Sequence, residues 1–229
     1  MRGLSHPQAE SRKRRIFLVE DHPVTRQGFC QLLELEPDLM VCGQAANSTQ
    51  ALEGIKSSNP EVVVLDIAMP GRDGIELIKE IGALRPLPAM LVLSTLDEAI
   101  FAKRALQAGA KGYVMKHEPV ARLIVAVRVV LAGEVYLSAA MRTQLLLASL
   151  NFSNSDPTLG VNLLSDRELE IFRLVGEGFG TQAIAHTLNL SISTVETHRT
   201  HIKDKLGVKR APDMVRQAVI WVQSQNCQQ

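Results

Sequence analysis

The sequence predicts a doubly wound α/β domain with a five-stranded parallel sheet, followed by a small all-α domain. Three observations carry this. Short apolar runs alternate with amphipathic helical stretches from Ile16 to about Gly133, as in a parallel sheet covered by helices. Val62-Val-Val-Leu65 is apolar without interruption and runs into Asp66, which suits a central strand buried on both faces. Beyond Leu163 the strand pattern stops and only helical periods remain.

In order, Ile16–Val19 is the first strand and Pro23 opens a helix bearing Val24, Phe29, Leu32 and Leu33, which ends near Pro37. Leu39–Ala45 is the second strand. Asn47 caps a helix over Ser48–Ser57. The third strand ends at Asp66, and the chain turns through Met69-Pro70-Gly71 into a helix from Gly74 to about Leu84. Ala89–Leu93 is the fourth strand, ending at Ser94-Thr95. A helix from about Asp97 to Ala108 stops at Gly109. Gly112–Met115 is the fifth strand, ending at Lys116, and Pro119 starts a helix to Ala132.

Ser138–Leu150 reads as one more helix. Asn151–Asn162 has linker composition. Residues 1–13 form a basic tail without the apolar core of a signal peptide.

At 229 residues with a formal charge of +1, the chain is neither a bulk polycation nor a disordered polyampholyte. Any nucleic-acid affinity must come from a local patch. Cys30, Cys42 and Cys227 lack metal-ligand spacing, and the first two fall in apolar segments, so buried free thiols in a reducing compartment are expected. No apolar run reaches the ~18–20 residues of a membrane span. A cytoplasmic protein is the expectation.

In a parallel sheet the strand ends share one edge, where such folds place ligands. Glu20, Asp21, Asp66, Ser94 and Lys116 therefore converge. Clustered carboxylates repel unless a cation neutralises them, and hard oxygen ligands suit Mg²⁺. A carboxylate nucleophile beside Mg²⁺, a hydroxyl and an ammonium fits phosphoryl transfer to Asp66. Individually these residues have plainer readings: Asp66 capping its loop, Ser94 capping a helix, Tyr113 as edge packing, Lys116 as a solvated lysine. His22 reads as a surface neighbour of the acids.

Together, Glu20-Asp21, Asp66-Ile-Ala-Met-Pro70 with Gly74, Ser94, and Gly112-Tyr113-Val-Met-Lys116 resemble the flavodoxin-like receiver domain of two-component response regulators. The resemblance implies that Asp66 is the phosphoacceptor, Glu20 and Asp21 the metal-site acids, and the Ala68 carbonyl a further ligand. It also implies that Ser94 and Tyr113 form the switch pair and that a sensor histidine kinase is the donor. Ser94 stands where threonine is commoner, and His117 where proline often follows the lysine. An aspartate-nucleophile phosphohydrolase is the enzyme alternative, but the position two residues beyond the nucleophile, where such enzymes place a second acid, is Ala68. A regulator controlled by a ligand or partner, without phosphorylation, is a third option.

In the helical region Ser165 and Glu168 have capping-box spacing, and Thr181–Leu188 and Ile192–Leu206 form two helices joined by a tight turn. The second is expected to turn Val195, Ile202 and Leu206 inward and Glu196, Thr197, Thr200 and Lys203 outward, flanked by Arg199 and Lys205. Leu164-Ser-Asp-Arg-Glu-Leu-Glu170, Gly178-Phe-Gly-Thr-Gln-Ala-Ile-Ala185 and Leu190–Val208 resemble a LuxR-type helix-turn-helix. With the receiver, this implies a DNA-binding regulator of the NarL/FixJ subfamily. Base-reading positions fall on Glu196, Thr197 and Thr200, and phosphate contacts on Lys205 and Arg199. A last helix, about Ala211–Ser224, carries Val215, Ala218, Val219 and Val222 along one side, with Met214 and Trp221 beside them. It covers the core and offers a homodimer surface. The expected domains are thus residues 14–137, a helix and linker over 138–162, and 163–229.

Overall fold

In the computed structural model, residues 12–69, 74–150 and 160–226 are described. The turn expected at Met69-Pro70-Gly71, most of the linker and the basic tail, and Cys227 lie wholly or largely outside them.

The sheet consists of β1 (Arg14–Val19), β2 (Leu39–Ala45), β3 (Val62–Leu65), β4 (Ala89–Ser94) and β5 (Gly112–Met115), in the order β2-β1-β3-β4-β5. All neighbouring pairs are parallel. The intervening helices are α1 (Pro23–Glu34), α2 (Ser48–Ser58), α3 (Gly74–Gly82), α4 (Glu98–Ala108) and α5 (Val120–Leu131).

Alternate strand residues point to opposite faces. Phe17, Val19, Val63 and Leu65 meet Ala51, Ile55, Ile78, Phe101 and Ala105 from α2, α3 and α4. Ile16, Leu18, Val62 and Val64 meet Cys30, Leu33, Leu123 and Val127 from α1 and α5. Burial on both faces is why β3 reads as an unbroken apolar run. Local signals also hold: Asn47 accepts from the Gln50 N–H, Asp97 from the Ala99 N–H, and Gly109 closes α4 in the left-handed region.

α1 differs in detail from expectation. Its core residues are Cys30 and Leu33, whereas Val24 is 86% exposed. Val24 and Leu33 are nine residues apart, about two and a half turns, and so stand on opposite sides of the helix.

α6 (Ala139–Leu150) leads to the second domain of α7 (Asp166–Gly176), α8 (Thr181–Thr187), α9 (Ile192–Leu206) and α10 (Ala211–Asn226). Ser165 and Glu168 form the expected capping box. Leu169, Phe172, Ile184, Val195, Ile202, Met214, Ala218 and Trp221 fill the core, with the Phe172 and Trp221 rings 5.8 Å apart. On α10 the buried stripe is Met214, Ala218 and Trp221, while Val215 is exposed. The stripe follows the four- and three-residue spacing of one helix face, to which Val215 does not belong.

Gly176 permits α7 and α10 to touch: an added Cβ would lie 2.5 Å from the Ala218 carbonyl oxygen. Gly176→Ala should cost about 1–3 kcal/mol through overpacking, measured by urea unfolding. Gly28 in α1 has nothing within 4 Å of the same added atom, and Gly28→Ala should gain about 0.5–1 kcal/mol from reduced backbone freedom.

Candidate functional site

Parallel register builds the first site. Val19 pairs with Leu65, Leu65 with Val92, and Ser94 with Met115, so the residues just past these positions share one edge of the sheet. The Asp66 N–H bonds to the Val19 carbonyl at 2.9 Å, and the Lys116 N–H to that of Ser94 at 2.8 Å.

Asp66 is 3% exposed and Glu20 1%. Lys116 Nζ stands 2.6 Å from Asp66 Oδ2 and 2.5 Å from Glu20 Oε2. Asp66 Oδ1 accepts from the Ser94 hydroxyl at 2.7 Å and the Ala68 N–H at 2.8 Å. Ser94 therefore serves Asp66, and capping of α4 falls to Asp97. Burial works against the Lys116 ammonium, yet the charges and hydrogen bonds of Asp66 and Glu20 outweigh it and raise its pKa. His22 is an exposed surface residue, but its Nδ1 leans on Asp21 Oδ1 at 3.0 Å and Glu20 Oε1 at 3.3 Å.

Two buried carboxylates face one ammonium here, with Asp21 following Glu20 in the chain. That excess of hard oxygen donors at one edge is a set that could hold a divalent cation such as Mg²⁺, and Glu20, Asp21 and His22 lie close enough together to share one.

Tyr113 is turned inward and buried, its hydroxyl donating to the Leu96 carbonyl at 2.8 Å. Burial, then the nearby Asp66 charge, push its pKa well above the usual value.

The helical domain presents Glu196, Thr197 and Thr200 to solvent, with Arg199 and Lys203 partly buried. The Thr197 and Thr200 hydroxyls donate to the carbonyls four residues earlier, at 3.0 Å each, which leaves their lone pairs outward. Glu196 accepts from the Thr181 hydroxyl at 2.7 Å, and Arg199 donates to Thr181 at 3.1 Å. Lys205, expected at the edge of that face on phosphates, pairs with Glu168 of α7 at 2.7 Å.

Contacts between the domains were not foreseen from sequence. Arg104 of α4 pairs with Asp166 Oδ1 at 2.9 Å and donates to the Leu164 carbonyl. Glu170 is buried, which raises its pKa against the pull of Arg167, and the charge of Asp66 adds to the rise. No local pattern marks such pairs, which lie some 60 residues apart in the chain.

The chain matches the family model "Response regulator receiver domain" over residues 16–128 and "Bacterial regulatory proteins, luxR family" over residues 162–218. It is 36% identical over 210 residues to the oxygen regulatory protein NreC of Staphylococcus epidermidis, spanning 90% of this chain and 96% of that protein. The chain belongs to the NarL/FixJ subfamily of two-component response regulators.

Among solved structures, RcsB of Salmonella enterica serovar Typhimurium bound to promoter rprA with a phosphomimetic is similar at 26% identity. Its TM-score is 0.56, over 90% of this chain and 98% of that one. A LuxR-family response regulator from Aurantimonas is 32% identical with TM-score 0.57, covering 61% of this chain and 99% of that one. This response regulator thus joins a receiver to a LuxR-type DNA-binding domain. Among the described residues no helix is long and apolar enough to cross a membrane.

Removing Lys116 leaves two buried carboxylates uncompensated. Lys116→Met should lose about 3–5 kcal/mol in metal-free urea unfolding. Millimolar Mg²⁺ should raise the midpoint of the wild type, and Asp21→Asn should abolish that increment.

Proposed function

We propose that this response regulator accepts a phosphoryl group on Asp66 from the phosphohistidine of a sensor kinase, and that the change releases its DNA-binding domain. The observation that carries this is the Asp66 carboxylate, buried between Lys116 and Ser94 beside Glu20.

One Asp66 oxygen attacks phosphorus, the P–N bond breaks, and the imidazole nitrogen leaves with the electron pair. Lys116 offsets charge on the transferring oxygens. Glu20, Asp21 and Asp66, with the Ala68 carbonyl, would hold a Mg²⁺, which would add electrostatic stabilisation of the same charge. The Ser94 hydroxyl transfers its hydrogen bond from Asp66 to a phosphoryl oxygen, and Tyr113, behind Ser94, responds to that movement. Ala68, where phosphohydrolases place an acid, favours a mark that persists over one rapidly hydrolysed.

The interdomain contact offers the output. A phosphoryl group adds negative charge near the buried Glu170 and near Asp166, so the cost of keeping the domains together rises. The Arg104–Asp166 pair opposes that separation. Release would present α9 to a major groove, with Glu196, Thr197 and Thr200 reading bases and Arg199, Lys203 and Lys205 near phosphates. A homodimer would match two half-sites.

Acetyl phosphate with Mg²⁺ should add one acid-labile phosphoryl group, detected by intact-protein mass spectrometry, and none to Asp66→Asn. A labelled Asp66→Asn would reassign the acceptor, and an unlabelled wild type would remove the switch. In fluorescence anisotropy with promoter DNA, Arg104→Ala should bind several-fold tighter than the unphosphorylated wild type. Equal affinity would show that the latch does not restrain binding. Thr197→Ala with Thr200→Ala should weaken specific binding by about 1–3 kcal/mol, while unchanged affinity would displace the base-reading assignment.

A further inference from the structure

The DNA-binding domain carries a second cluster of ligating side chains, separate from the acidic edge of the receiver. Glu168 of α7 and His198 and His201 of α9 each offer an atom, and these atoms lie within 4.8 Å of one another. We propose that Glu168, His198 and His201 form a site for a divalent transition-metal ion of the zinc class, clamping the recognition helix α9 to α7.

Spacing and donor type favour this. His198 and His201 are three residues apart on one helix and so share a face. Two imidazoles and a carboxylate form a ligand set suited to zinc, nickel or copper, with the remaining position left to water. His201 is 57% exposed, which gives an ion a route in.

Burial and hydrogen bonding point the same way. His198 Nδ1 is buried and has no hydrogen-bond partner, an arrangement folded proteins generally avoid. Burial lowers the pKa of His198 despite the Glu168 charge. Burial raises the pKa of the Glu168 carboxyl, but hydrogen bonds from Lys205 and Ser165 prevail and hold it low. Glu168 Oε2 receives both the Ser165 N–H at 2.8 Å and Lys205 Nζ at 2.7 Å. Oε1 faces His201 Nδ1 at 3.9 Å. Ligands on a tetrahedral zinc are about 3.3 Å apart, so the Glu168–His201 pair must close by roughly half an ångström, and no pair, all lying within 4.8 Å, by more than about 1.5 Å.

Arg167 and Lys205 are the cations nearby. Lys205 competes with the metal for Glu168, but its side chain is 39% exposed and long enough to swing into solvent. Metal binding at Oε1 would tie α9 to α7 through its histidines, with Lys205 on Oε2 or swung into solvent.

The test is zinc titration of the full chain by calorimetry, with excess Mg²⁺ occupying the receiver's acids. Cobalt substitution reports geometry through its visible absorption. The wild type should bind one zinc in this site, show tetrahedral cobalt bands and gain thermal stability. His201→Ala should weaken zinc binding by about ten-fold or more, at an unchanged metal-free melting temperature, and His201→Asp should restore part of it. His22→Ala, at the other cluster, should leave that binding intact. Wild-type affinity in His201→Ala, loss of all binding in His22→Ala, or no zinc binding by the wild type would overturn the site.

Discussion

Two carboxylates buried side by side are unstable unless a positive charge lies between them, and the receiver is built around that requirement. Lys116 reaches Glu20 and Asp66 at 2.5 and 2.6 Å from the end of β5, whereas the acids follow β1 and β3. The contact exists only if the whole sheet holds its register. Each strand must end within a residue or so of its neighbours, because a slip of one residue along any of them turns the functional side chain to the wrong face. The apolar packing on both sides of the sheet enforces this. A site that needs charge in a dry place therefore depends on the surrounding hydrocarbon for its geometry.

α4 links that site to the rest of the molecule. It follows Ser94 and Leu96, the latter bound by the Tyr113 hydroxyl, and it carries Arg104, which holds the start of α7. The acidic side chains of α7 at this contact include Asp166 and the buried Glu170. The charge of Asp66 adds to the raised pKa of the buried Glu170.

Much of this was legible in residue order. The strand-end acids, serine and lysine could be aligned because apolar runs mark where strands stop. The Ser165–Glu168 capping box and the Asn47 cap were readable because caps are contacts over a few residues. Where burial depends on which side of a helix meets its neighbour, reading was less complete. Val24 belongs to an apolar set yet stands in solvent, and on α10 Trp221 takes the core position while Val215 does not. Lys205 is a basic residue near a recognition face, but a carboxylate on another helix claims it. Glu196 likewise finds Thr181 before any base. These are competitions between partners brought together only by folding.

Chain order alone determined the two domains, the parallel sheet and the chemistry collected at its edge. Those follow from periodicity and from the rule that parallel strands end together. Tertiary structure decided which charges meet: Lys116 with both acids, Arg104 with Asp166, Lys205 with Glu168, and His201 with Glu168. Electrostatic pairing depends on distance through space and on exclusion of water, and neither is a property of position along the chain.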